Sequence, residues 1–335
     1  MLYHIETEER TAGGRGGTVY TLSRPDVGSL IEVWPAHGFN CRRWRVRCHE
    51  LLYSAADWSD NPVPTRSGVP ILFPFPNRIR DGVFSHAGTT YQLPTNDSAQ
   101  ANAIHGFAPR NPWQVFGYGA DAESAWVHGD FQLSVNAPDA KNGWPGDALL
   151  SVIYRLMQDR LRIDLRVRNM GDRPFPFGLG LHPYFRLPGD GDVSDYVLHA
   201  PARSIWPLAD SLPTGERRPV PDELNWNRPR RIGGTQLDTV YGDLGAIRED
   251  DGGLLLRATL GHVDRPGRLE LWTTADFRES VLFTPPHRKA VCLEPYTCVT
   301  DAVNLQARGV DGGWRDLPVG GQWAGVVEFR SNPAE

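Results

Sequence analysis

The sequence predicts an all-β protein, and three observations carry that prediction. First, 35 glycines and 28 prolines among 335 residues punctuate the chain too often for long helices and suit many short strands joined by turns. Second, apolar and polar residues alternate with a period of two. In "LRIDLRVRN", Leu161, Ile163, Leu165 and Val167 interleave with Arg162, Asp164, Arg166 and Arg168, the pattern of a strand buried on one face. Read as a helix, that segment would wrap its arginines around every side and leave no stripe to bury. Third, no convincing amphipathic helix of more than about three turns can be drawn.

The remaining elements follow in order. "NAPDAKNGWPGD", Asn136 to Asp147, packs Asn, Asp, Gly and Pro closely and reads as a turn-rich connection between two strands. Pro207 to Gly234 is dominated by polar residues and prolines, which predicts a long surface connection of the kind that often borders a binding site. "RLELWTT" from Arg268, "SVLFTPP" from Ser280 and "WAGVVEFR" from Trp323 to Arg330 are strand-like. There is no repeat of fixed period, which argues against propellers and solenoids.

Composition narrows the partners. A hydrophobic fraction of 40% and eleven tryptophans can build a sizeable core, and the length fits either two average domains or one large β domain. A net charge of -5 offers no general attraction to nucleic acid or an anionic membrane, so a small molecule is the expected partner. Cys41, Cys48, Cys292 and Cys298 are too few for a disulfide framework and lack CxxC spacing, so buried or idle thiols are expected. No stretch approaches the length of a membrane span. The N-terminal residues lack the basic start and apolar core of a signal peptide, making the cytoplasm the simplest address.

Five places carry more functional groups than packing demands. "PILFPFPNRIRDG" holds Asn77, Arg78 and Arg80, and arginine offers a planar fork of donors for sugar hydroxyls or an anion. "NAIHGFAPRNPW" holds His105 and Arg110 in a polar, Gly- and Pro-punctuated stretch. In "FGLGLHPYFRLPG", His182 follows Gly178 and Gly180, an arrangement that allows the backbone to approach a ligand. "GGTQLDTVYGDL" places Asp238 in a strand-like run, where it can bind a ligand or bond neighbouring backbone. In "KAVCLEPYTCVTDAVN", Glu294 directly follows the apolar segment Ala290 to Leu293, a costly place for a carboxylate that is neither paired nor functional.

Taken in order, "NRI", "NAIHG", "LHPYF", "LDTVY" and "LEPYTCVTDAVN" resemble the motifs of the aldose 1-epimerase, or galactose mutarotase-like, family. The resemblance implies a single β-supersandwich domain over residues 1–335, with antiparallel sheets, few short helices and an open sugar cleft. It also implies interconversion of the α and β anomers of a free aldose without cofactor or metal. Carried over by position, Glu294 is the general base toward the C1 hydroxyl and His182 the general acid toward the ring oxygen. His105 is a second donor there, and Arg78 and Asp238 hold sugar hydroxyls. Asn77, Arg80 and Arg110 complete the expected substrate contacts, and the chain is expected to be monomeric or homodimeric.

The same demand arises from chemistry alone. Opening a hemiacetal ring needs one proton removed and another donated, and the partners exchange roles on closure, which one carboxylate and one imidazole can do. Departures bear on substrate. "HGFAPRNPW" is closer to "HGFAR" members resembling hexose-6-phosphate epimerases than to the "HGG" of many galactose mutarotases, so Arg80 and Arg110 are candidates for meeting a phosphate or sulfonate. Val281 or Leu282 stands where galactose mutarotases carry a sugar-contacting glutamine. Alternatives are therefore a hexose-6-phosphate 1-epimerase, a non-catalytic carbohydrate-binding β-sandwich, and a cupin-like isomerase with His105, His182 and Glu294 on a metal.

Overall fold

The computed structural model describes residues 2–47, 49–97, 101–138, 140, 143–189 and 192–332. Cys48 and part of the turn-rich connection after Asn136 lie outside the described residues. Every ladder between described strands is antiparallel, and the described α-helices are the short segments Leu133–Asn136 and Ala302–Ala307. The alternating segment around Leu161 forms the strand Arg160–Asn169, whose Leu161, Ile163, Leu165 and Val167 are all buried. Arg265–Thr273, Glu279–Phe283 and Gln322–Asn332 are strands as their patterns require.

Three sheets organise the chain. A five-stranded N-terminal sheet runs in sequence order from His4–Ala12 to His49–Glu50. A ten-stranded sheet is centred on Arg160–Asn169, Gln322–Asn332 and Arg265–Thr273, and so joins the middle of the chain to its end. An eight-stranded sheet contains Ala202–Trp206, Asp238–Leu244, Glu279–Phe283, Val291–Tyr296 and Gly180–Leu181 as neighbours. One continuous core cluster draws on all three sheets, from Leu22 and Trp44 through Val152 and Leu165 to Leu282, Leu293 and Phe329.

The connection Pro207 to Gly234 is irregular, as its composition requires, carrying only strands of two residues and a short 3-10 turn. It is nonetheless anchored. Trp226 is buried and donates its indole N–H to Tyr241 Oη at 3.1 Å, a way of placing a large apolar side chain in the core while its one donor stays paired.

Alternation across the eight-stranded sheet positions the functional groups. In Val291–Tyr296, Val291 and Leu293 join the main core, so Cys292, Glu294 and Tyr296 project from the opposite face. Register then sets lateral neighbours: Glu294 lies opposite Val281, while Cys292 lies opposite Phe283, which in turn pairs with Asp238. A carboxylate, a thiol, a phenol and a second carboxylate thus share one face of one sheet.

Candidate active site

Glu294 is 1% exposed, and its Oε2 accepts a 2.6 Å hydrogen bond from Tyr296 Oη two residues along the same strand. Burial pushes its carboxyl well above the ordinary range and the nearby Asp238 charge pushes the same way, with the Tyr296 hydrogen bond opposing both. His182 sits between the short strands Gly180–Leu181 and Tyr184–Phe185, which pair with Val291–Tyr296 and bring imidazole and carboxylate together. Its Nε2 is 3.5 Å from Glu294 Oε1 and 3.4 Å from Tyr184 Oη.

The His182 ring is held on several sides. It stacks on Tyr184 with centroids 4.6 Å apart and meets Phe283 edge-on at 6.0 Å. Tyr184 is itself fixed by donating its hydroxyl to the Thr65 carbonyl. Burial lowers the His182 pKa to about 3, while His182 Nδ1 has no hydrogen-bond partner. A buried imidazole with a spare nitrogen is available to a ligand entering the site.

His105 approaches His182 edge-on at 5.7 Å. It adopts a positive φ of 66° and is followed by Gly106, also at 66°, where a Cβ would lie 2.2 Å from the Phe73 carbonyl oxygen. A left-handed non-glycine residue at such a place marks a backbone held for a purpose. The backbone N–H of His105 donates to the Asn77 carbonyl at 2.8 Å, and the Asn77 N–H donates back to His105 Nδ1 at 3.3 Å. With Nδ1 accepting, the neutral ring carries its proton on Nε2 and is a donor there. Burial first, then the charges of His182, Arg78 and Arg110, keeps this imidazole's pKa well below its usual value.

Arg78 pairs in register with Ile104, the residue before His105. Its Nε donates to Asp97 Oδ2 at 2.6 Å and one terminal nitrogen to Asn77 Oδ1 at 3.2 Å. Asp238 begins the strand Asp238–Leu244 with an exposed side chain; desolvation by the surrounding protein raises its carboxyl and the Arg78 charge lowers it. Asp301 ties the segments together, its backbone N–H donating to the Arg78 carbonyl and its Oδ1 accepting from the Arg80 N–H.

Glu294, His182, His105, Arg78, Asp238 and Asn77 are therefore linked through direct contacts or mutual electrostatic influence. Of the other two arginines, Arg110 reaches the cluster through its charge, which acts on His105. The half-exposed Arg80 guanidinium lies 4.0 Å from Asp301, and Arg110 lines two cavities on either side of the turn Ala108–Arg110. The glycines before His182 also serve a different neighbour. A Cβ on Gly180 would lie 2.4 Å from the Tyr296 ring and one on Gly178 2.3 Å from Cys298 Sγ, so Gly180 permits the close approach of the Glu294 strand and Gly178 that of Cys298 just beyond it.

Sequence reasoning passed over Tyr184, Tyr296, Phe283 and Cys292. Period-two spacing from Glu294 marks Cys292 and Tyr296 as its companions on one face, a signal available before any coordinates. Among the described residues, His182, Cys292 and Glu294 form the one buried trio whose potential ligand atoms all lie within 4.8 Å of one another. His105 is not part of it. A cavity of about 360 Å³ lined by Tyr53, Arg66, Tyr184, Phe283 and His287 reaches the two rings that pack on His182. A larger cavity of about 500 Å³ near Leu51, Leu187 and Arg268 shares no residue with the cluster.

A profile of the family described as "Aldose 1-epimerase" matches residues 33–330. The chain belongs to the aldose 1-epimerase family. It is 24% identical over 236 residues to "Uncharacterized protein YihR" of Escherichia coli K12, covering 70% of this chain and 71% of that protein. It is 30% identical to "Galactose mutarotase" of Rattus norvegicus over 151 residues, which is 43% of this chain and 40% of that protein. The fold matches a galactose mutarotase-like protein from Clostridium acetobutylicum with a TM-score of 0.85 at 22% identity, covering 98% of this chain and 99% of the other. A galactose 1-epimerase from Lactobacillus acidophilus aligns with a TM-score of 0.76 at 19% identity over 99% of both chains. The mostly antiparallel architecture with few short helices is thus the galactose mutarotase-like fold, and no described helix is long and apolar enough to cross a membrane.

Proposed function

We propose that this member of the family is a mutarotase, an aldose 1-epimerase that interconverts the α and β anomers of a free aldose. The observation that carries the reading is the buried approach of His182 Nε2 to Glu294 Oε1 at 3.5 Å, with His105 alongside. Glu294 removes the C1 hydroxyl proton while His182 donates a proton to the ring oxygen. The C1–O5 bond breaks, and an open-chain aldehyde results. Rotation about C1–C2 presents the other carbonyl face, O5 attacks it, and both protons return to where they began. Arg78 and Asp238 hold hydroxyl groups of the sugar, and His105 donates to the ring oxygen through Nε2.

The pair handles one mobile proton. Burial favours the uncharged arrangement in the empty site, with the proton on Glu294 and neutral His182. A bound sugar reverses that preference, because its C1 hydroxyl donates to an ionised carboxylate and its ring oxygen accepts from an imidazolium. The substrate itself thereby moves the proton across the 3.5 Å gap and arms base and acid together. A binding-only β-sandwich has no need for such a pair.

Polarimetry or anomer-resolved NMR of fresh α-D-glucose, α-D-galactose and glucose 6-phosphate tests the proposal. The expected result is accelerated mutarotation of a neutral sugar, abolished in Glu294→Gln with sugar binding largely retained. No acceleration across a broad panel of neutral sugars would remove the proposal, and acceleration confined to the phosphorylated sugar would replace it with a sugar-6-phosphate epimerase.

A further inference from the structure

We infer that His182, Cys292 and Glu294 form an inhibitory site for a borderline-soft divalent metal ion, for which Zn²⁺ is the natural probe. Their donor atoms, an imidazole nitrogen, a sulfur and a carboxylate oxygen, all lie within 4.8 Å of one another and all three side chains are buried. Each of the three is a donor type that Zn²⁺ takes, and sites with three protein ligands leave it one open position.

The metric fit is close. Bond lengths of about 2.0 Å to N and O and about 2.3 Å to S place tetrahedral donors roughly 3.3–3.6 Å apart. His182 Nε2 and Glu294 Oε1 already stand at 3.5 Å, so the sulfur needs to close by on the order of 1 Å to complete a three-donor face. Register holds Cys292 for this, since it pairs with Tyr184 on one side and Phe283 on the other, the two residues whose rings hold His182 in place. A cavity of about 360 Å³ reaches Tyr184 and Phe283, the two residues that flank Cys292 in register. His105 is spared because its Nδ1 is engaged by the Asn77 N–H.

On binding, the thiol and carboxyl protons pass to solvent and thiolate and carboxylate coordinate the ion. The ion then occupies the His182 nitrogen and Glu294 oxygen that face each other and would exchange protons with the sugar, so a bound ion stops mutarotation and competes with sugar. Binding stands independently of the mutarotase reading, whereas the effect on turnover rests on it.

The test uses the full chain without an affinity tag. Equilibrium dialysis against ZnCl₂ with metal analysis is expected to give one ion per chain, and Co²⁺ is expected to show a thiolate-to-metal charge-transfer band. In Cys292→Ala the band disappears and the Kd for Zn²⁺ rises at least about tenfold; Cys292→Ser, nearly isosteric, supplies the same comparison if the alanine variant folds poorly. Zn²⁺ suppresses wild-type mutarotation and a chelator restores it, while Cys292→Ala keeps its basal rate and tolerates at least about tenfold more Zn²⁺. Equal Zn²⁺ uptake by wild type and Cys292→Ala, or Co²⁺ bound without a thiolate band, overturns the site. Zn²⁺ bound by a protein that turns over no sugar upholds the site and removes the mutarotase reading; active enzyme indifferent to Zn²⁺ does the reverse.

Discussion

Glu294 depends on one neighbour for its ionised form. The 2.6 Å hydrogen bond from Tyr296 is the interaction that favours the carboxylate against burial and the Asp238 charge. A hydrogen bond to a charged group contributes about 1.5–3 kcal/mol, so Tyr296→Phe is expected to lower kcat by roughly tenfold or more with little change in KM. An unchanged kcat would show that the phenol does not support the base. The pH profile carries a second expectation. Gain of a proton by the free site requires His182, whose pKa burial lowers to about 3, and loss requires Glu294, whose pKa is raised. The macroscopic values belong to the pair, but the directions place the proposed activity on the acid side of an ordinary imidazole. Accordingly kcat/KM, corrected for spontaneous mutarotation, is expected to hold its value from pH 7 down to pH 5; an acid limb near 6.5 would contradict the uncharged pair.

Elements bring these residues together by close packing that sequence motifs hint at but do not explain. Gly180 is the clearest case, because a Cβ there would meet the Tyr296 ring at 2.4 Å and Pro76 Cβ at 2.9 Å, leaving no free side. Gly180→Ala is therefore expected to destabilise the fold by about 1–3 kcal/mol and to displace Tyr296 from Glu294, so that kcat falls in step with Tyr296→Phe. Denaturant unfolding beside steady-state rates checks both, and a stable variant with full activity would refute the packing argument. Glu294, His182, His105, Arg78, Asp238 and Asn77 were legible in the sequence because each lies in a short polar run whose composition packing does not require. The purpose of Gly180 was not, since the atom it accommodates comes from a strand more than a hundred residues away. Arg80 and Arg110 lie in the same motifs: the Arg80 guanidinium is 4.0 Å from Asp301, and Arg110 lines cavities beside the 3-10 segment while its charge acts on His105. Period-two patterning gives the strands and even the face of Cys292, but not which strands become neighbours.

At the scale of the molecule, the eight-stranded sheet keeps more than one carboxyl out of water, and this sets how stability responds to pH. Glu279 is fully buried in the strand beside Glu294; its Oε2 accepts from Trp206 Nε1 at 2.9 Å while Oε1 has no hydrogen-bond partner, with Arg278 Nε 3.6 Å away. Burial outweighs these partners and raises its pKa from 4.5 to about 7. Between those values the unfolded chain gives up the proton while the folded chain retains it, so folding weakens as pH rises through the interval and the full cost is reached only above about 7. The difference amounts to on the order of 3 kcal/mol. Glutamine keeps an acceptor for Trp206 and cannot ionise, so Glu279→Gln is expected to gain stability over wild type at pH 8 and to lie close to it at pH 4. Glu294 shifts in the same direction and is present in both proteins, so it cancels in the comparison. Urea unfolding of the two proteins across pH 4–8 reads the difference directly. Parallel curves would mean that Glu279 stays ionised in the folded sheet and that its pairing with Arg278 prevails over burial.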